Sequence, residues 1–213
     1  SSIKASYPFL HFFDGFRTSH EIQKVEEIDL EALKGLIDQE ALEKFRASAL
    51  NPHTNPVTRG GAENDDISFQ GQEAANLHAA NVITIVDDYM KEISKLTGRH
   101  YAPFVYYGHP EADRVLVAMG SVTQAIEEVV DAMNENGEKV GLIKVHLYRP
   151  FSIEHIKAVV PASVKKIAVL DRTKEQGASE PLYLDVHHAL SNHNDIELII
   201  GGRYGLSSKD TQP

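Results

Sequence analysis

The 213-residue sequence contains no cysteine. Without cysteine, these residues cannot carry a disulfide framework, a thiolate nucleophile or a cysteine-ligated iron–sulfur cluster. The sequence also has no run of about 18 or more apolar residues and no signal peptide at its N-terminus, so it predicts neither a membrane partner nor secretion. A reducing, cytoplasmic setting is the expectation from these absences.

Three common enzyme motifs are missing as well. The G-x-S-x-G elbow, the G-x-x-x-x-G-K-[ST] phosphate loop and the G-x-G-x-x-G fingerprint do not occur, which leaves hydrolase, P-loop and dinucleotide-binding functions without support. The formal net charge of -10 arises from 31 acidic and 21 basic residues that are spread along the chain. This pattern is typical of a solvated globular surface, and it excludes nucleic acid as the expected partner.

The N-terminal part of the chain predicts a helical and irregular appendage. Residues 7–13 form an apolar run that predicts a buried strand, and Asp14-Gly15 predicts a turn after it. Two short helices follow behind Asp29, a good N-cap, and end before Asn51-Pro52. Residues 51–71, with two prolines and three glycines, predict a long irregular connection. A helix that Gly98 ends comes next.

From Arg114 onward, strands and helices alternate. Near-continuous apolar runs predict strands that are covered on both faces, at residues 115–118, 140–147, 166–170 and 196–200. Between them, Ser121 with Gln124 predicts a capping box, Ser152 predicts the N-cap of a second helix, and Pro181 predicts the first turn of a third. The fold class is therefore α/β, with a doubly wound, mainly parallel sheet from residue 115 to residue 200.

Ligands of such sheets bind outside the carboxyl ends of the strands, so four loops are candidate positions. Met119-Gly120-Ser121 could hold an anion, although a tight turn with an N-cap is the simpler interpretation. The cations and carboxylates of loop 171–175 are expected to pair with one another rather than to bind a phosphate or another subunit. Loop 201–209 combines three glycines with four possible phosphate contacts, and the alternative is an exit turn into a further domain. The four contacts are Arg203, Ser207, Ser208 and Lys209.

The histidines near Asp185 raise the question of a metal site. On a helix, Asp185 and His188 share a face, but His187 points elsewhere and His193 lies past the expected helix end. Histidines that are solvated or that cap a helix are a simpler interpretation than a metal site. The sequence therefore predicts no metal ligand and no catalytic residue in this chain.

Five stretches read in order carry a family resemblance. They are PFLHFFDGFRTSHE at residues 8–21, DDYMKEIS at 87–94, GEKVGLIKVHLYRPF at 137–151, DRTKE at 171–175 and GRYGLSSK at 202–209. In combination they resemble the pyruvate:ferredoxin (or flavodoxin) oxidoreductase family. The resemblance covers essentially the whole chain.

The resemblance implies an internal segment of a longer, dimeric, cytoplasmic enzyme. Such an enzyme oxidatively decarboxylates pyruvate to acetyl-CoA and CO2 with thiamine diphosphate and magnesium, and passes electrons through iron–sulfur clusters to ferredoxin or flavodoxin. The family's G-D-G…Asn-Asn motif for thiamine diphosphate has no counterpart here, so we expect no cofactor to be bound by this segment alone. Its partners would be the remaining domains of the parent chain.

The same resemblance divides the chain into three parts. Residues 1–50 would be the tail of the first, pyrimidine-side domain, residues 51–100 a connecting segment with a long helix, and residues 101–213 a domain similar to the C-terminal domain of transketolase. In the parent enzyme, loop 201–209 would lie beside a CoA-binding domain and contact a CoA phosphate. Two alternatives remain: a free-standing α/β binding or assembly module, and the C-terminal domain of another thiamine diphosphate enzyme such as a transketolase.

Overall fold

The structure is a computed structural model that describes residues 1–15, 17–22, 24–193 and 195–209. Two compact units are present: a helical unit of residues 1–11 and 24–101, and a sheet unit of residues 12–23 and 102–213. The helices, in chain order, are α1 Ser2–Ala5, α2 Arg17–His20, α3 Leu30–Gly35, α4 Gln39–Ala47, α5 Asp65–Thr97, α6 Val122–Glu135, α7 Ile153–Val159 and α8 Pro181–Leu190, followed by a 3-10 turn at Leu206–Ser208.

Side-chain caps fix where the helices of the helical unit begin. The Asp29 carboxylate accepts the Ala32 N–H at 3.1 Å and starts α3, as predicted. Asn64 accepts the Ile67 N–H at 3.1 Å and starts α5. The irregular connection predicted to reach residue 71 is therefore too long, because the Asn64 cap and the two acidic residues Asp65 and Asp66 in the first turn favour a helix that begins at Asp65. The predicted end at Gly98 is confirmed, with Gly98 in the left-handed conformation at φ 70°.

The helical unit has a small core. Its buried apolar side chains within the described part are those of Ala5, Val82 and Val86. By contrast, the first half of α5 leaves Phe69 and Leu77 more than two-thirds exposed. A helix with so few apolar contacts gains little stability from packing, since most helical stability in proteins comes from a buried face.

The apolar run at residues 7–13 was predicted as a buried strand, and that prediction is wrong. The run is irregular in the structure, and Leu10, Phe12 and Phe13 are 86%, 61% and 68% exposed. A strand needs a paired neighbour for its backbone groups, and none of the strands in the described ranges lies along this run.

The sheet unit contains five strands: β1 Phe104–Gly108, β2 Arg114–Ala118, β3 Val140–Val145, β4 Lys166–Asp171 and β5 Leu198–Arg203. Their order across the sheet is β1-β3-β2-β4-β5. Strands β2 to β5 are parallel to one another, which confirms the mainly parallel α/β fold. The sequence did not predict β1, which is antiparallel to β3. The last strand begins two residues later than expected and continues to Arg203.

Alternating side chains give the sheet two unequal faces. On one, which we call the closed face, Val117, Ile143 and Val169 are fully buried under α7 and α8. The other carries α6, whose Ile126 and Val130 pack on Leu142. The expectation that the strands are covered on both faces therefore holds for the closed face and for only part of the other.

The three predicted helix starts in the sheet unit are found, but the predicted cap at one of them is not. Ser152 accepts the His155 N–H at 3.3 Å, and Pro181 is the first residue of α8, as predicted. The capping box at Ser121 is wrong, because the Ser121 side chain makes no capping hydrogen bond. None of the helices in the described ranges is both long and apolar enough to cross a membrane. The assignment of residues 1–50, 51–100 and 101–213 to separate domains stays a prediction.

Candidate functional site

Four loops of the sheet unit meet at one edge. Because β2 to β5 are parallel, the loops that follow Ala118, Val145, Asp171 and Arg203 all leave the sheet on the same side. We call this side the carboxyl edge. It is the place where α/β sheets of this kind bind their ligands.

The first loop was predicted to be able to hold an anion, and the structure places a carboxylate of the chain itself there. Asp14 Oδ2 accepts the Ser121 N–H at 2.6 Å, at the start of α6. The backbone of Gly120, at φ 86°, passes so close that a Cβ there would lie 2.8 Å from Asp14 Oδ2. A carboxylate at a helix N-terminus satisfies unpaired amides and interacts favourably with the helix dipole. Asp14 therefore occupies the position that an external anion would need.

Asp14 also pairs with the loop that follows β4. Its Oδ1 lies 2.8 Å from Arg172 Nη1, and the Arg172 Nε donates to the Gly205 carbonyl at 3.2 Å. Burial by itself would raise the pKa of Asp14, but the hydrogen bonds from Ser121 and Arg172 together outweigh it and lower the pKa below its usual value. The mutual pairing predicted for loop 171–175 is therefore wrong for Arg172, whose partner lies 158 positions away, because the fold brings Asp14 to the carboxyl edge.

Asp171 is a second buried carboxylate at the carboxyl edge. It is 1% exposed, and its two oxygens accept the N–H groups of Leu182 and Tyr183 at 3.0 Å each. Burial raises the pKa of Asp171 despite these bonds, and the nearby charge of Glu180 adds to the effect. The arrangement caps α8 from the adjacent strand end, so the role of this carboxylate is structural.

The loop after β3 pairs with α8. Arg149 lies with its guanidinium carbon 4.0 Å from the Tyr148 ring centroid, and its Nη2 forms an ion pair with Asp185 Oδ2 at 2.7 Å. Burial raises the pKa of Tyr148 to about 12. Asp185, the carboxylate of the metal-site alternative, thus has a guanidinium for a partner. Within residues 1–15, 17–22, 24–193 and 195–209, no three His, Asp or Glu side chains converge on a point that could hold a metal ion.

The structure does not place the four predicted phosphate contacts in one loop. Arg203 is the last residue of β5 rather than part of the loop, and its Nη1 lies 2.7 Å from Glu180 Oε1. The hydrogen bond from Arg203 is the main reason that the pKa of Glu180 is lowered. Ser207 and Lys209 are exposed to solvent, and the side chain of Ser208 lies outside the described part. Of the two cations in this group, Arg203 is paired, and Lys209 has no ion-pair partner among the described residues.

A separate cleft of about 660 Å³ lies within the helical unit. Its lysines are paired with carboxylates of the same unit: Lys4 with Asp38 at 3.4 Å, Lys91 with Asp87 at 2.6 Å and Lys95 with Glu92 at 2.6 Å. The cleft therefore offers no uncompensated positive charge to an anionic ligand.

Sequence reasoning missed the two carboxylates that organise the carboxyl edge. Asp14 was noted only as a turn residue, and Asp171 only as part of a charged loop. The available signal was indirect: the loop before α6 has a glycine and a serine at the helix start, which a distant acidic group can cap. At this edge Asp14 pairs with Arg172, Asp185 with Arg149 and Glu180 with Arg203, whereas Lys209 has no ion-pair partner in the part of the chain that the structure describes.

Comparison with known proteins covers both units. Residues 1–91 match the family model described as "Pyruvate flavodoxin/ferredoxin oxidoreductase, thiamine diP-bdg", and residues 112–207 match "Pyruvate:ferredoxin oxidoreductase core domain II". The chain is 54% identical, over its whole length, to a pyruvate-flavodoxin oxidoreductase from Klebsiella pneumoniae and to a pyruvate:ferredoxin oxidoreductase from Moorella thermoacetica. It spans 18% of the length of each of these two relatives.

Solved structures are similar as well. One of them is a 2-oxoglutarate:ferredoxin oxidoreductase from Magnetococcus marinus, 19% identical, with a TM-score of 0.39 over 70% of this chain and 23% of that one.

Proposed function

Because the chain belongs to the pyruvate:ferredoxin (flavodoxin) oxidoreductase family, we propose that it works as an internal segment of an enzyme that oxidatively decarboxylates pyruvate to acetyl-CoA and CO2. Ferredoxin or flavodoxin would accept the electrons. The observation that carries the proposal is the 54% identity over the whole chain to enzymes of which the chain spans only 18%. The remaining domains of the parent polypeptide are then its first partners, and a homodimer in the cytoplasm is the expected assembly.

The residues described here do not fit a complete site for thiamine diphosphate and magnesium. The helix N-terminus at Ser121, which has the amides to hold a phosphate, is occupied by Asp14. No carboxylate cluster for a divalent cation exists among the described residues. Iron–sulfur clusters would require cysteine thiolates, which the sequence lacks. We therefore assign the chemistry to other parts of the parent enzyme. The role of this segment is to position those parts.

The test compares the 213-residue chain with the parent enzyme. Both are supplied with pyruvate, CoA, thiamine diphosphate, magnesium and iron, and the reduction of a viologen dye is measured. We expect pyruvate-dependent reduction by the parent enzyme and none by the isolated chain. Turnover by a pure sample of the isolated chain would contradict the segment assignment, and a parent enzyme inactive with pyruvate would contradict the proposed substrate.

For loop 201–209 we propose a contact with a phosphate of CoA in the parent enzyme, through Arg203, Ser207, Ser208 and Lys209. The position at the carboxyl edge and the exposed Lys209 support it. Loss of one charge-assisted hydrogen bond to a phosphate costs about 1.5 to 3 kcal/mol, roughly ten- to a hundredfold in affinity. The expected result for Lys209→Ala is a KM for CoA raised by that factor, with the KM for pyruvate unchanged.

The Arg203–Glu180 pair requires a matched control. Arg203→Ala removes a possible phosphate contact and also the partner of Glu180, whereas Glu180→Gln disturbs the pair and leaves the guanidinium in place. If Arg203 contacts CoA, only Arg203→Ala raises the KM for CoA. Equal effects of both substitutions on thermal stability, with unchanged KM values, would show that Arg203 serves to hold α8 to β5.

A further inference from the structure

Part of the sheet surface beside α6 is apolar and uncovered. A groove of about 300 Å³ runs along this surface, which we call the open face. The floor comes from β2, β4 and β5, and one wall comes from α6. Its apolar lining includes Leu116, Ala168, Leu198, Ile200, Val129 and Met133.

Exposure on the open face contrasts with burial on the other side of the same strands. Leu198 and Ile200 of β5 are 46% and 49% exposed, and Val129 of α6 is 54% exposed. On the closed face, Ile167 and Val169 of β4 are 1% and 0% exposed. Strands that are apolar on both sides are typical of parallel sheets with cover on both faces. The open face is therefore a surface built to be covered.

The topology explains why the described chain does not cover it. The connections from β3 to β4 and from β4 to β5 move toward the β5 side of the sheet, and they place α7 and α8 on the closed face. The connection from β2 to β3 moves the other way and places α6 over β3 and β1. Crossovers between parallel strands are nearly always right-handed, so the direction of each step decides the face. No crossover of this sheet can put a helix over β2, β4 and β5 on the open face.

We propose that one amphipathic helix from the part of the parent polypeptide outside these 213 residues docks in this groove. The three uncovered strands span two inter-strand spacings, about 10 Å, which matches the diameter of one helix. Strands of five or six residues are about 17 to 20 Å long, so about 12 helical residues would cover them. The inference rests on the proposed segment role, since the chain spans 18% of its relatives and leaves most of the polypeptide available.

Charge at one end of the groove favours a direction for this helix. Lys166, at the amino end of β4, lines the groove and has no ion-pair partner among the described residues, whereas Arg114 beside it is paired with Asp113 and Glu138. A helix that runs in the same direction as α6 would bring its C-terminus to Lys166. The negative end of the helix dipole, or an acidic side chain in the last turn, would then meet an uncompensated ammonium group.

The test is a site-specific crosslink in the full-length parent enzyme. Ile200 is replaced by the photoreactive amino acid p-benzoylphenylalanine, and the crosslinked peptide is identified by mass spectrometry. Leu184, which is 50% exposed on α8 and lies away from the groove, gives the matched control position. We expect position 200 to crosslink within one polypeptide to a helical segment outside the 213 residues, and position 184 not to reach that segment.

Each other outcome overturns the inference. A crosslink that doubles the mass on a denaturing gel would show that a second subunit covers the open face. A crosslink to residues 1–11 or 24–101 would assign the cover to the helical unit, and a yield no higher than at position 184 would show that the groove is open in the assembled enzyme. If the variant at Ile200 does not fold, the same probe at Val129 tests the groove from the wall that α6 forms. Activity of the unaltered parent, measured separately, tests the proposed function independently of this result.

Discussion

Replacement of Asp14 by asparagine should destabilise the sheet unit by about 1 to 2 kcal/mol. Asparagine keeps an oxygen that can accept the Ser121 N–H, but it removes the negative charge from the N-terminus of α6, which is worth about 0.3 to 1 kcal/mol. The ion pair with Arg172 adds about 0.5 to 1 kcal/mol, a modest value because the Arg172 side chain is 34% exposed. For a chain of this size, the expected fall in Tm is about 2 to 8 °C.

The dependence on pH gives the same experiment a second readout. The pKa of Asp14 is lower in the folded chain than its usual value, so its contribution is fully present above about pH 4 and is lost as the pH falls through the folded-state pKa. The difference in stability between the wild type and Asp14→Asn should therefore shrink below about pH 4.

Urea unfolding followed by circular dichroism measures both effects. The control is Asp195→Asn, which makes the same chemical change at an 89% exposed carboxylate paired with Lys165. An exposed pair of this kind contributes little. If Asp14→Asn costs no more than Asp195→Asn at neutral pH, or if its cost is independent of pH, the assignment of the Asp14 carboxylate as a charged cap of α6 is refuted.

Three further predictions concern the same unit. Ser152→Ala should cost about 1 kcal/mol in urea unfolding, because the Ser152 hydroxyl caps α7; an unchanged free energy of unfolding would contradict this cap. Gly120→Ala should lower the Tm more than Gly137→Ala, because both glycines have positive φ but only at Gly120 would a Cβ meet another residue, Asp14 Oδ2 at 2.8 Å; thermal unfolding of both variants decides this. Since the pKa of Tyr148 is raised to about 12, Tyr148→Phe should leave the tyrosinate absorbance at about pH 10.5 unchanged, whereas a tyrosine with the usual value near 10 would contribute to it.

Much of the sheet was predictable because apolar runs are a local signal. The runs near residues 115, 140 and 166 each became a strand, and Ser152, Pro181 and Gly98 mark helix ends through bonds or backbone angles that involve only near neighbours. The family was predictable for a related reason, because short stretches of sequence read in order suffice to carry a resemblance.

The candidate site was less predictable, because its groups are brought together over long distances in the chain. Residues 204–209 of the predicted loop lie at the carboxyl edge, since strand direction fixes that position, whereas residues 201–203 belong to β5. Of these, Arg203 is bonded to Glu180, which precedes α8. No local pattern gives the partner of a charged side chain, since ion pairs form between whichever groups the fold brings within reach.

The sequence by itself determined the four parallel strands, the helix ends at Asp29, Gly98, Ser152 and Pro181, the α/β class and the family, because each of these depends on the periodicity or identity of nearby residues. Only the tertiary structure decided that Asp14 caps a helix 107 positions away, that residues 7–13 lie irregular and exposed, and that β1 joins the sheet antiparallel to β3. It also decided which face of β2, β4 and β5 stays open. Apolar alternation marks both faces of a strand for burial, but the handedness and direction of the crossovers determine which of them the chain covers.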